Sequence, residues 1–274
     1  MDEIRVPQGT VRYREHAGAG APIVFVHGLL VDGRLWDAVL PHLDGRWLIV
    51  PDWPLGSHKT ALAEDADLTP PGLARLVADA LAALDLDDVT LVANDTGGAI
   101  AQLVVTRHPE RVGRLVLTNC DAYENFLPAM FRPLQIAARI PGCPSLLLAG
   151  MRWAPVRNLP MAFGRLASSR IDPALTGDWL TPARIDPAVR RDLIKELRGI
   201  SKRYTVEAAT KLGTFDKPTL IVWGRDDTFF KPRYAERLAA EFPNARLEWL
   251  DNARAFVPLD QPQRLAELIA GFTS

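Results

Sequence analysis

Short, almost uninterrupted apolar runs, each followed by a stretch with helical spacing, constrain this chain more than any other feature. Pro22–Val26 ends in His27-Gly28, and Trp47–Val50 is closed by Pro51-Asp52. Val89–Ala93, Arg114–Asn119, Thr219–Trp223 and Arg246–Leu250 continue the series, and Val11–His16 reads as a first strand. Between them, Leu73, Leu76, Val77, Ala80, Leu81 and Leu84 fall on one helical face behind Thr69-Pro70-Pro71, a helix-start signal. Further helices are expected at about Gly98–Arg107, Arg233–Glu241 and Gln263–Phe272. A strand that is apolar throughout is buried on both faces, as in a parallel sheet covered by helices. The expected fold is therefore a doubly wound α/β domain with a mostly parallel sheet.

The middle breaks that rhythm. Prolines stand at 128, 133, 141, 144, 155, 160, 173, 182 and 187, and no strand-like run lies among them. Helical pieces such as Met130–Ile140 and Ala188–Arg198 can be picked out. A helical insertion after the sixth strand would sit over the carboxyl edge of the sheet, where ligands bind in such folds. The expected division is a core of residues 1–120 and 203–274 and a helical cap, or lid, of residues 121–202.

Charge and cysteine usage narrow the partners. Thirty-two basic and 33 acidic residues leave a formal charge of −1, which directs the chain to neither nucleic acid nor an anionic membrane. Cys120 and Cys143 are too few for a disulfide framework. No apolar run approaches the ~20 residues of a membrane span, and Met1–Arg5 lacks a signal-peptide pattern. A soluble cytoplasmic protein acting on a small molecule is expected, its oligomeric state open.

Leu91-Val92-Ala93-Asn94-Asp95-Thr96-Gly97-Gly98 runs from a strand directly into a helix. Small residues at Ala93 and Gly97 flank Asp95 with the spacing of the sharp strand-to-helix turn that exposes a nucleophile. At a helix N-terminus, backbone N–H groups and the dipole stabilise a carboxylate there. The plainer reading, that Asp95 is a helix N-cap, rests on the preference for Asp at that position.

Other features make the plainer reading the weaker one. His27-Gly28-Leu29 follows a strand, Pro51–Ser57 forms the next loop, and Trp223-Gly224-Arg225-Asp226-Asp227 closes a late strand. With the elbow, these motifs make the chain resemble the α/β-hydrolase superfamily over essentially its whole length. Aspartate in place of serine resembles the branch of haloalkane dehalogenases and epoxide hydrolases. The resemblance implies Asp95 as nucleophile, Asp227 as the acid, and the backbone N–H groups of Leu29 and Thr96 as the oxyanion hole. Asp226, or Asp121 and Glu124 after the sixth strand, are rivals for the acid. A carboxylate is already ionised near pH 7 and can form an alkyl ester at an sp³ carbon. Water must then attack that ester with help from a base.

The base is absent. Where the family's pattern has histidine, Arg254-Ala255-Phe256-Val257-Pro258 carries Ala255, and no histidine follows His108. Two origins fit: an introduced His→Ala change that traps an ester, which the intact surrounding pattern favours, or natural loss of the step.

Substrate signals are thinner. Thr96 stands where dehalogenases carry a halide-binding tryptophan, and Leu29 where they carry an asparagine or glutamate. Tyr123 and Tyr204 near the lid's ends are candidates to donate to an epoxide oxygen. Trp153 and Trp179 in the lid, and His27, are candidate pocket residues. His58 reads as solvated. No metal-ligand spacing or phosphate loop is found, so no cofactor is expected. A haloalkane dehalogenase-like hydrolase is expected, with an epoxide hydrolase or a non-catalytic ligand-binding protein as alternatives.

Overall fold

The structure is a computed structural model and describes residues 1–273. Eight strands form one sheet: β1 (Asp2–Val6), β2 (Gly9–His16), β3 (Ala19–Val26), β4 (Arg46–Asp52), β5 (Val89–Asp95), β6 (Val112–Cys120), β7 (Thr219–Gly224) and β8 (Ala245–Leu250). The helices, in chain order, are α1 (Pro70–Ala83), α2 (Thr96–Arg107), α3 (Arg132–Ala137), α4 (Cys143–Gly150), α5 (Ala154–Arg157), α6 (Pro173–Ile185), α7 (Pro187–Gly199), α8 (Lys202–Ala209), α9 (Pro232–Glu241), α10 (Val257–Asp260) and α11 (Pro262–Phe272).

The strand order is β1-β2-β4-β3-β5-β6-β7-β8. β1 and β2 pair antiparallel, as do β2 and β4, and every pair from β4 through β8 is parallel. β5 is buried at all but its last residue and β7 along its whole length, so the sheet is covered on both faces. That is why these segments read as continuous apolar runs. From β3 the chain steps outward to β4, then crosses back to place β5 on the other side of β3. The carboxyl ends of β3 and β5 therefore flank the topological switch point, the crevice where open α/β sheets bind ligands.

Two local expectations differ from the structure. β1 was not anticipated, because only Ile4 of its five residues is buried and an edge strand with one inward residue has no apolar run. Met130–Ile140 is a 3-10 turn at Ala129–Phe131 followed by the six-residue α3, which ends before Pro141-Gly142. Between β6 and β7 the described residues are helical or irregular apart from an isolated bridge between Ala122 and Asn125. α8 packs against α2. No helix among the described residues is long and apolar enough to cross a membrane.

Candidate functional site

Asp95 is the last residue of β5, and α2 starts at the next residue. Its φ of 57° and ψ of −132° lie where a non-glycine residue is strained, at a cost of about 1–3 kcal/mol. Close approach makes the turn possible. A Cβ on Gly97 would lie 2.4 Å from the His27 carbonyl oxygen, and one on Gly28 would lie 2.0 Å from Oδ2 of Asp95. Both glycines let the β3 loop press against the elbow. Asp95 makes no side-chain N-cap hydrogen bond to α2. Instead its Oδ2 accepts from the Leu29 backbone N–H at 3.2 Å, and the adjacent Thr96 N–H also favours the charged carboxylate. The Leu29 and Thr96 N–H groups thus both act on one carboxylate.

Burial pushes the Asp95 carboxyl up to about 7; the Thr96 and Leu29 N–H groups oppose the rise, and the charge of Asp227 adds to it. Asp227 follows β7 and is buried, whereas Asp226 is exposed. The Asp227 carboxylate accepts from Asn119 Nδ2 and from the Phe229 N–H, each at 2.7 Å. Burial raises it to about 6 against those hydrogen bonds. Asp121 is also buried, accepting from Thr96 Oγ1 at 3.1 Å and the Leu127 N–H at 3.0 Å. Burial, then the charge of Asp95, holds its carboxyl well above the usual range. Glu124 is exposed and pairs with Arg233 at 3.5 Å, away from this group.

Two asparagines tie the site together. Asn94 Nδ2 donates to Thr118 Oγ1, to the Asn119 carbonyl and, at 2.7 Å, to the carbonyl of Ala255. Asn119 donates to Asp227 and to the Gly224 carbonyl, and accepts from the Gly224 N–H at 2.6 Å. The ends of β5, β6 and β7 and the loop carrying Ala255 are thereby fixed relative to one another. Ala255 itself is fully buried. Both asparagines were missed in the sequence; a polar residue closing an otherwise apolar strand was the available signal.

The cavity above Asp95 has a volume of about 450 Å³. Of the side chains lining it, only Asp95 and Thr96 are polar; Leu29, Leu30, Phe131, Leu134, Phe163 and other apolar residues form the rest. His27, Tyr123, Trp153, Trp179 and Tyr204 are not among them. Tyr123 is buried, stacked on Tyr234 with the Arg237 guanidinium over its ring. Trp153 is exposed, and the buried Trp179 donates to Asp32 Oδ1 at 3.0 Å. His27 accepts the Trp53 N–H at Nε2 and directs Nδ1 to the Gly28 carbonyl, which assigns it the Nδ1–H tautomer and a role in shaping its own loop. Tyr204 lies against Arg203. His58, expected in solvent, is buried 3.4 Å from Asp192. Among the described residues no histidine lines the cavity.

Residues 23–268 match the alpha/beta hydrolase family. The chain belongs to that family. Among its relatives, haloalkane dehalogenase 2 of Mycobacterium tuberculosis is 28% identical over 267 residues, covering 96% of this chain and 91% of that protein. A 2-hydroxy-6-oxononadienedioate/2-hydroxy-6-oxononatrienedioate hydrolase of Cupriavidus pinatubonensis is 26% identical over 287 residues, covering 98% and 93%. The solved haloalkane dehalogenase DatA of Agrobacterium tumefaciens superposes with a TM-score of 0.79 at 24% identity, covering 99% of this chain and 96% of that one. This alpha/beta hydrolase thus has relatives of two hydrolytic specificities, and its own cavity is the guide to its chemistry.

Another carboxyl lies nearby. Glu196 on α7 is fully buried, and neither of its carboxyl oxygens has a hydrogen-bond partner. Burial, then the charge of Asp95, pushes it well above the ordinary carboxylate range.

Proposed function

We propose that this chain forms an alkyl ester on Asp95 with an apolar organic electrophile and hydrolyses it slowly. The observation that carries the reading is the Asp95 carboxylate at a strained elbow, bonded by the Leu29 N–H, favoured by the Thr96 N–H and facing an apolar cavity. One carboxylate oxygen attacks an sp³ carbon, and the leaving group departs with the bonding electron pair. Water then attacks the ester carbonyl, and its oxyanion is stabilised by the Leu29 and Thr96 N–H groups. In this reading a base at position 255 would take its orientation from Asp227, whose carboxylate Asn119 holds. With Ala255 there, the proton of the attacking water has no imidazole acceptor, and the ester accumulates.

Haloalkane dehalogenase-like chemistry is the reading best supported, because the apolar walls suit an alkyl halide. Those walls carry no indole, phenol or carboxamide side chain to hold a departing anion, so the leaving group must be good in itself. Iodides should react faster than bromides, and bromides faster than chlorides. An epoxide needs a proton donor for its opened oxygen, and the displaced tyrosines leave that alternative weaker. Ala255 favours a second reading, a ligand-binding protein without turnover.

Intact-protein mass after incubation with alkyl halides and epoxides tests the proposal. A stable adduct on Asp95, absent from Asp95→Asn, supports it; a halide adduct lacks the halogen, and an epoxide adduct keeps the oxygen. Reversible binding of the same compounds without any mass change would instead select the binding protein.

A further inference from the structure

The whole-chain charge balance conceals a local imbalance. Residues 128–170 contain six arginines and no aspartate, glutamate or lysine. Arg157 is buried and donates to the Met151, Arg152 and Pro173 carbonyls and to Thr176, so it fastens the segment to α6. The other five, Arg132, Arg139, Arg152, Arg165 and Arg170, are exposed, and among the described residues none is in an ion pair with a carboxylate. The acids that bracket the segment are engaged elsewhere. Glu124 is held by Arg233 and Tyr234, and Asp172 caps α6 by accepting from the Ala174 N–H.

The same segment concentrates exposed apolar side chains. Of the twelve large apolar residues exposed among the described residues, nine lie within residues 130–161. Single exposed apolar residues are ordinary; a cluster is not. Met130, Leu146, Leu147, Val156, Leu159 and Met161 are both exposed and part of the cavity wall, so the cavity opens through this patch. Leu146 is 74% exposed, Met161 64% and Trp153 59%, the last with the Arg152 guanidinium over its ring. An apolar surface studded with arginines, with an interfacial tryptophan and no acid, has the composition of a surface that lies in a lipid headgroup layer.

We propose that residues 128–170 dock on an anionic lipid surface and that the cavity mouth opens into it. The arginines meet lipid phosphate and carboxylate groups, and the leucines and methionines at the rim enter the acyl boundary. Lipophilic substrates then reach the cavity from the bilayer without crossing water. Docking is independent of the chemistry at Asp95, so Asp95→Asn binds as the unaltered chain does.

The test is co-sedimentation of the full chain with vesicles of phosphatidylcholine alone and with roughly a third phosphatidylserine. Binding is expected to the anionic vesicles and to weaken with added salt. Removing one exposed arginine should lower partitioning about fivefold, and Arg139→Glu with Arg152→Glu should lower it further. Leu146→Ser with Met161→Ser should weaken binding at low salt while leaving the salt dependence in place. All four positions are exposed, and thermal unfolding of each variant confirms that it folds. Equal pelleting with and without anionic vesicles would overturn the proposal. So would a dimer abolished by Leu146→Ser and Met161→Ser in a chain that ignores vesicles, since the patch would then bind a second copy.

Discussion

Asp95 concentrates the energetic conflict of this protein. Its carboxyl is raised to about 7, chiefly by burial, so in the native state it keeps its proton across a pH range where the unfolded chain has lost it. The native state therefore binds more protons between pH 4 and 7, and stability falls as pH rises through that window. A carboxyl at about 7 in place of an ordinary carboxylate near 4 corresponds to as much as about 4 kcal/mol. Asp95→Asn has no such charge to bury. It should unfold at a higher temperature than the unaltered chain at pH 8, with the advantage shrinking toward pH 4. An advantage independent of pH would mean that the carboxyl titrates normally. Alkylation requires the ionised form, so the rate of adduct formation should climb through about pH 7 and then level off. A flat rate from pH 5 to 9 would contradict both the elevated carboxyl and its role as nucleophile.

At the scale of elements, two positions make opposite demands. Ala255 precedes α10 and is fully buried, its carbonyl held by Asn94 beside the elbow. Ala255→His adds an imidazole to a packed site and should cost about 1–3 kcal/mol of stability. The same change supplies a base, and ester hydrolysis should accelerate by about 10²–10⁴-fold. Stopped-flow decay of the adduct measures it, and an unchanged decay would show that position 255 does not serve the ester. On α7, Glu196 buries a carboxyl group that has no hydrogen-bond partner among the described residues. Glu196→Met removes that unsatisfied group at similar volume and should stabilise by about 1–3 kcal/mol in chemical denaturation. A loss of stability would reveal an unseen partner.

These elements also show what the sequence disclosed. β5 and β7 are buried on both faces and so read directly as strands, while β1, with Ile4 alone facing inward, did not. The elbow at Asp95 was legible because Ala93 and Gly97 are small for a steric reason that the backbone imposes. The pocket aromatics were not. Whether Trp179 faces a cavity or Asp32 depends on helix placement by the tertiary fold, which no local spacing encodes.

The whole molecule joins a rigid sheet to a thin apolar roof. α3, α4 and α5 have six, eight and four residues, too few to be stable as isolated helices, since nucleation is costly. Their order depends on packing, and on one side they face an open cavity of about 450 Å³. Segments with few buried contacts open locally at low free energy, whereas central strands open only with global unfolding. Amide hydrogen exchange should therefore be fast over residues 132–157 and slowest in β5, β6 and β7. An alkyl group bound to Asp95 fills the cavity and gives Leu134, Leu147 and Val156 a new apolar surface to pack on. The adduct should slow exchange over residues 132–157 and leave the central strands unchanged. Slowing confined to the elbow would mean that the ester sits beneath the roof without touching it. Equal exchange of roof and sheet in the free protein would mean that the short helices are held as firmly as the core.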